Sequence, residues 1–300
     1  MHLCIFSYNR GVFLKNCIDS IEQCIPQSNL FIFDDNSDDS DTCEILRSLS
    51  SKYQVITPSQ SDVGQSKHGG LYANMQQAFS RFNSEDIVCF IQDDMQVVRA
   101  VGESEIEVIT SLFQKNPTLG FVQPAFLKGC DKPEHQSTVR YDPKIDMYYI
   151  DRFNRSAGAS YSDVSIFSID NLRKVNWNFQ SREAHNEQQA RDKLTQMPYL
   201  KNPFLAWLPA VPAFRGKLQT VAIRLAHSIR KCDFYPYRIM SDGEVEQFIN
   251  RDALQLPYAE GFLKLIDSTA LREPWFYHPL QQQRVLKWLN SVELAVRRQL

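Results

Sequence analysis

The sequence predicts an α/β protein: a mixed, mainly parallel sheet flanked by helices, followed by a mainly helical C-terminal region. Three observations carry this prediction. Short β-branched and aromatic runs alternate with amphipathic stretches through the first third of the chain. Polar clusters of that third fall at the ends of the runs, where parallel strands with helical crossovers place their functional loops. From Pro203 the pattern changes to proline-rich apolar sequence and then to helical spacing.

In chain order, LCIFSYN (Leu3 to Asn9) reads as the first strand, and Phe13, Leu14, Cys17, Ile18, Ile21 and Cys24 then recur at helical spacing until Pro26 stops the helix. LFIFDDN (Leu30 to Asn36) is the second strand. Asp41 with Glu44 three residues on predicts a capping box for a helix that turns Ile45, Leu46 and Leu49 inward. YQVITPS (Tyr53 to Ser59) gives a third strand, and Leu71, Met75, Ala78, Phe79 and Phe82 give a third helix. The fourth strand, IVCFIQDD (Ile87 to Asp94), ends on two adjacent aspartates. Adjacent carboxylates repel, and burying one without a cation or donors costs roughly several kcal/mol. A positive partner is therefore expected there.

Beyond PFLAWLPAVPAF, the residues Leu218, Val221, Ala222, Leu225, Ile229 and Cys232 recur at helical spacing beside Arg215, Lys217, Arg224, Arg230 and Lys231. Such a basic amphipathic helix either packs its stripe on the rest of the protein or lies on an anionic membrane surface. Packing is the commoner fate and is the expectation here. Val285, Leu289, Val292 and Val296 mark a closing helix between Gln281 and Leu300.

With 300 residues and 43% hydrophobic content, the chain can bury a full α/β core. The expected division is 1–200 for the main domain, in halves of 1–130 and 131–200, and 201–300 for a helical extension packed on it. A net charge of -2 gives no general field for nucleic acid. No secretory segment and no membrane-spanning run is seen, which predicts a protein of the cytosol or of the cytosolic face of a membrane. The seven cysteines form no C-x-x-C pair and read as reduced core residues. Neither G-x-G-x-x-G nor a P-loop occurs. The remaining economical way to hold a diphosphate at paired carboxylates is a divalent ion, Mn²⁺ or Mg²⁺, which takes oxygens from both.

SYNR (Ser7 to Arg10), DDNS (Asp34 to Ser37), DVG (Asp62 to Gly64), YANMQQAF (Tyr72 to Phe79) and QDD (Gln92 to Asp94) resemble, in order and spacing, the motifs of glycosyltransferase family 2. The resemblance covers about the first 130 residues and extends more weakly to 165–191. It implies the GT-A fold and a nucleotide-sugar donor bound by Phe6, Ser7, Tyr8, Asn9, Arg10, Asp35, Lys67 and Asp93. Tyr8 would lie against the base, where its ring offers stacking. Asp35 would accept from the base imide, which suggests uridine, and Asp93 would face the ribose. Asp94 would hold the metal. Asp34 either joins the site or caps its own loop.

The chain departs from the family pattern in two places. Gly69, Gly70 and Leu71 stand where the family often has arginine, leaving Lys67 or His68 to contact phosphate, and Met95 occupies the third position of the D-x-D-like motif. On the acceptor side, SDVSIFSID (Ser162 to Asp170) resembles the family's acceptor-side strand, and HNEQQARDKL follows at the expected distance. This implies Glu187 as general base, with Glu183 as the alternative; both also read as plain helix charges. Among the histidines, His278 in WFYHPL is the candidate third metal ligand. The implied partners are a nucleotide-sugar donor and a glycan or lipid-linked glycan acceptor. Two other readings stay open: a nucleotidyltransferase making nucleotide sugars, which SYNRGVF does not favour, and a nucleotide-binding scaffold subunit without turnover.

Overall fold

The computed structural model describes residues 1–57, 70–151, 158–213, 219–267 and 271–297, with Gln136 described by its backbone alone. The four predicted strands form in order: β1 (His2–Ser7), β2 (Asn29–Asp34), β3 (Gln54–Ile56) and β4 (Ile87–Gln92). Between them run α1 (Gly11–Cys24), α2 (Ser40–Leu49) and α3 (Leu71–Arg81). β3 is shorter than its apolar run, part of which lies outside the described residues. β1 pairs in parallel with both β2 and β4, and β2 with β3. Past β5 (Met95–Val97) and α4 (Glu103–Lys115), the sheet is completed by β6 (Phe121–Val122) and β9 (Ser165–Ser168), giving the order β3-β2-β1-β4-β9-β6. β9 runs antiparallel to both neighbours, so the sheet is mixed and mainly parallel.

Both faces of the sheet are covered, which explains why its strands read as continuous apolar runs. On one face, Leu14, Cys17, Ile18, Ile21 and Cys24 of α1 bury against Leu3, Ile5 and Ile32. On the other, Met75, Ala78 and Phe79 of α3 join an aromatic cluster that includes Phe6, Phe33, Phe90 and Phe167. Each Leu, Ile, Met or Phe among them contributes about 1.5–3 kcal/mol relative to exposure.

The start of α2 differs from expectation. Asp39, two residues before Asp41, is the N-cap, and its side chain accepts from the Thr42 amide. This setting leaves the Thr42 hydroxyl free to accept from the Gly11 amide at 2.7 Å. A Cβ on Gly11 would stand 2.9 Å from the Thr42 Cα, a backbone atom that cannot swing aside, so the close approach of α1 to α2 requires glycine.

Between β6 and β9 lie α5 (Lys132–Thr138) and the hairpin β7 (Val139–Asp142) with β8 (Met147–Ile150); α6 (Ile169–Lys174) and α7 (Glu183–Lys193) follow. β10 (Tyr199–Leu200) adds to β8, and β11 (Leu205–Trp207) pairs antiparallel with β5. Residue 200 therefore marks no break in packing. Val98 and Phe126 share a buried cluster with Ala206, Leu208 and Phe248.

The C-terminal hundred residues contain α8 (Val221–Arg230), β12 (Tyr237–Arg238), α9 (Asp242–Ile249), α10 (Ala259–Phe262), β13 (Lys264–Leu265) and α11 (Arg284–Val296). Packing of α8 takes a different stripe from the expected one. It buries Ala222, Ile223 and Ala226 and leaves Val221, Leu225 and Ile229 exposed. Among the described residues no helix is long and apolar enough to cross a membrane.

Candidate functional site

Parallel pairing aligns the carboxyl ends of β1, β2 and β4, so the three polar clusters of the sequence meet at one edge. The Asp35 amide donates to Ser7 O at 2.9 Å and the Asp93 amide to Phe6 O at 3.1 Å. Much of the chemistry at this edge is spent on the loops themselves. Asn9 Nδ2 donates to Asp38 Oδ1 at 2.6 Å, and its Oδ1 accepts from the amides of Asp38 and Asp39. Asn9 also takes a left-handed φ of 50°, a conformation asparagine tolerates better than most residues. Asp34 is buried and accepts from the Ser37 amide and hydroxyl, as a loop cap does.

These contacts engage part of the expected nucleotide set within the protein. Phe6 is a core side chain, T-shaped against Phe90 and stacked on Phe33. Ser7 is buried, and Asn9 spends its amide on the neighbouring loop. All three build the loop from beneath. Lys67, like the DVG motif, lies outside the described residues.

Tyr8 and Asp35 do reach the rim, each partly buried. Burial raises the Tyr8 hydroxyl pKa, helped by Asp38, Asp35 and Asp34, which places its ring and these carboxylates in one neighbourhood. Asp35 Oδ2 accepts from the Gly70 amide at 2.6 Å, and burial raises its carboxyl pKa against that bond. A Cβ on Gly70 would stand 2.0 Å from Asp35 Oδ1. Where the family often carries arginine, this chain thus brings a backbone amide, and any larger residue here would have to displace the Asp35 carboxylate.

The positive partner expected at the aspartates is the chain's own Arg10. Its guanidinium donates to Asp94 Oδ2 at 2.7 Å and Asp93 Oδ1 at 3.3 Å, and to Pro212 O at 3.2 Å. Burial opposes the charge on Arg10, and Asp94 and Asp93 more than restore it. Asp93 is 4% exposed and accepts from the Tyr8 amide at 3.1 Å, so both its oxygens are used inside the protein. Burial pushes its carboxyl up to about 7, against Arg10 and with Asp94. Asp93 therefore holds the first loop and the arginine instead of presenting an open face.

Asp94 is different. One oxygen meets Arg10, while Oδ1 is buried with no hydrogen-bond partner among the described residues. An orphaned carboxylate oxygen is costly unless a ligand completes it. Met95 is a core residue and offers no ligand. Among the described residues no group of three His, Cys, Asp or Glu converges, so His278 does not join Asp94 in such a cluster. It is exposed, and its Nδ1 accepts from the Leu280 amide at 3.1 Å. The donor set therefore fits a divalent cation shared with diphosphate oxygens and does not fit one held by the protein alone.

Lys128 completes this corner, and nothing local in FLKGC marks it in the sequence. Its ammonium lies 4.0 Å over the Trp207 ring and 5.1 Å over that of Tyr277. Burial lowers its pKa, opposed by Asp131, Cys130, Asp94 and Glu183. Trp207 is held here because β11 runs beside the aspartates, with the Leu208 amide donating to Asp94 O at 2.9 Å. The meaning of Lys128 comes from residues far along the chain, which is why sequence reading misses it.

On the acceptor side, the first-choice base, Glu187, is buried. Glu187 is 1% exposed, and its carboxylate accepts from the amides of Gly158, Ser160 and Tyr161 and from Arg191 at 2.7 Å. A carboxylate saturated by four donors anchors the loop before β9 and has no lone pair to offer a substrate proton. Glu183, the first residue of α7, is exposed and lies within electrostatic reach of Lys128, Tyr72 and Tyr161. Between them Asp163, also missed in the sequence, accepts from Tyr72 at 3.1 Å and Tyr161 at 2.7 Å, and burial raises its pKa.

A family model described as glycosyl transferase family 2 matches residues 3–166, more than half of the chain. No curated protein sequence matches. Solved structures are similar at low identity. Residues 1–349 of TarS from S. aureus share 11% identity over 83% of this chain and 68% of that one, with a TM-score of 0.46. The mannosyltransferase PcManGT from Pyrobaculum calidifontis, solved with GDP-Man and Mn²⁺, shares 14% over 76% and 61%, with a TM-score of 0.45. The galactosyltransferase LgtC, solved with donor and acceptor sugar analogues, shares 14% over 65% and 67%, with a TM-score of 0.37.

Proposed function

The chain belongs to glycosyl transferase family 2, and on that premise we propose that it moves a sugar from a nucleotide diphosphate, UDP in the first instance, to a hydroxyl of a glycan or glycolipid acceptor with inversion at the anomeric carbon. The observation that carries the reading is the arrangement around Asp94. A buried carboxylate oxygen without a partner stands beside Arg10 and within electrostatic reach of Lys128, at the sheet edge that also presents Tyr8 and Asp35.

Each residue has a task in this scheme. Tyr8 and Asp35 Oδ1, which has no partner among the described residues, receive the base, the ring by contact and the carboxylate by accepting the imide N–H. Arg10 and Lys128 place two cations where the diphosphate develops charge as the glycosidic bond breaks. Lys128 keeps its ammonium between two aromatic faces, which favour a cation without competing for its N–H donors. Asp94 Oδ1 would hold Mn²⁺ or Mg²⁺ together with the diphosphate, and the cation would supply further charge stabilisation to the leaving group. Glu183 takes the acceptor hydroxyl proton, in a position that solvent and a second substrate can reach.

A thermal-shift panel of UDP, GDP, CDP and TDP, each with and without Mn²⁺, tests the donor site. A nucleotide at a hundred times its dissociation constant stabilises the fold by about 2.7 kcal/mol. Stabilisation by UDP that deepens with Mn²⁺ is expected. No shift with any nucleotide in folded protein would overturn the donor reading. A UDP shift without sugar transfer to any glycan or glycolipid acceptor would favour the non-catalytic binding subunit, the reading that the burial of Glu187 keeps in view.

A further inference from the structure

We propose that α8 and α11 form a docking face for an anionic lipid surface. Of the twelve large apolar residues exposed among the described residues, eight lie on these two helices, so the exposure is concentrated and not scattered. Val221, Leu225 and Ile229 recur every fourth residue along α8 and are 50–59% exposed, which puts them on one face. On α11, Leu289 and Val292 are 41% and 42% exposed, and Trp288 is 64% exposed.

The two helices are locked to each other, so these faces are not waiting to close on one another. Ile223 and Ala226 of α8 bury against Leu280 and Leu286. Thr220 Oγ1 donates to Asn290 Oδ1 at 2.7 Å, and the Val221 amide to Glu293 Oε2 at 2.8 Å. At the opposite end, Arg230 donates to Gln281 O at 2.8 Å. The pair therefore runs antiparallel as one unit, with its shared side filled and the apolar residues of both helices left exposed.

Charge decides between a lipid surface and another protein. The span Val221–Lys231 holds Arg224, Arg230 and Lys231 and no acid. The span Arg284–Arg297 holds Arg284, Lys287 and Arg297 against Glu293 alone, in a chain whose net charge is -2. That single acid pairs with Arg297 at 2.6 Å and accepts from the Val221 amide, so the two cancel and Arg284 and Lys287 are the surplus charge of this span. Apolar residues beside basic ones, with an exposed tryptophan, are what a helix lying in the plane of an anionic headgroup layer presents. A second copy of the chain would bring the same positive charge against itself.

The test uses the full chain and vesicles of phosphatidylcholine, with and without about a third of phosphatidylglycerol. Cosedimentation is expected with the anionic vesicles, at least about tenfold weaker on neutral ones and weakened by salt. Trp288 gives a direct readout, because Trp177 and Trp275 are 4% exposed and Trp207 is half-buried beside Lys128. Its emission should shift to the blue on binding, and the shift should vanish in Trp288→Phe. Leu225→Glu and Trp288→Glu, each on an exposed site and checked for unchanged melting, should each weaken binding by about tenfold or more. Equal binding by these variants, or none by the parent, would overturn the proposal. So would a concentration-dependent dimer that both substitutions dissolve, since it would assign the face to self-association. None of these readouts depends on sugar transfer, so failure here leaves the proposed reaction standing.

Discussion

Over β1 and β2 the polar side chains spend both their oxygens or amides on one another; in the cleft beside Trp207, Asp94 meets Arg10 with one oxygen and keeps the other without a partner among the described residues. Asn9, Ser37, Asp34 and Asp93 have their hydrogen-bonding capacity taken by neighbouring loops and by Arg10. Asp94 keeps an oxygen without a partner, Lys128 lies against aromatic faces, and Glu183 stands exposed. The first region has the composition of a site and the bonding of a scaffold. The second is where a ligand has something left to bind. A polar residue at the end of a strand is thus classified by what it has already accepted or donated, more than by its type.

Glu183 and Glu187 give the sharpest form of this contrast, since they lie one helical turn apart on α7. Glu183→Gln is expected to lower transfer by about two to four orders of magnitude, the usual worth of a general base, with nucleotide binding unchanged. Steady-state rates beside a UDP titration check it. Full activity would remove Glu183 from the chemistry and point to Asp163. Glu187→Ala should act on the fold instead. It strips Arg191 and three backbone amides of their shared acceptor, a loss of about 3–5 kcal/mol for a broken buried ion pair. Denaturant melts would show it, and a stable but inactive Glu187→Ala would reverse the two assignments.

Lys128 tests the cleft from its cationic side. Lys128→Met keeps the length of the stem and its apolar contact with Trp207 while removing the charge. UDP affinity should fall by about tenfold or more, as expected for a charge-assisted contact to phosphate. Uridine, which has no phosphate, should bind the variant and the parent alike. Equal losses for both ligands would mean that Lys128 merely shapes the pocket.

Much of the architecture was legible because burial writes itself locally. Four apolar runs became four strands, and the spacings of α1 and α3 predicted their buried faces. The convergence of SYNR, DDNS and QDD followed from parallel pairing alone. Division of labour within those clusters was not legible, because it depends on which neighbour reaches an oxygen first. Nothing in the sequence states that Arg10, and not an ion, meets Asp94 Oδ2, or that Gly158, Ser160 and Tyr161 fill the carboxylate of Glu187. Lys128 was invisible for the same reason, since its aromatic partners come from β11 and from the stretch before α11. On α8, the helical period was read correctly and the face was not. The small stripe of Ala222 and Ala226 allows close packing, and the larger residues are left outside.

His227 offers the smallest and most conditional test of the contrast, because its saturation depends on its protonation state. Its Nε2 accepts from the Ala213 amide at 3.0 Å, which requires a lone pair and so a neutral ring. Burial lowers its pKa from the ordinary value of 6.5, in the same sense. The unfolded chain therefore takes up a proton at a higher pH than the folded one does. The stabilisation is complete above about 6.5 and is lost as pH falls through the folded value. Melting followed from about pH 8 down to pH 5 should show a drop of a few degrees that His227→Gln lacks, since glutamine offers an acceptor at every pH. The ring sits on α8, so loss of its bond to Ala213 would loosen the contact between that helix and the chain leading into it. Vesicle binding measured over the same range would then separate a lipid face that depends on a firmly seated α8 from one that needs only the exposed stripe.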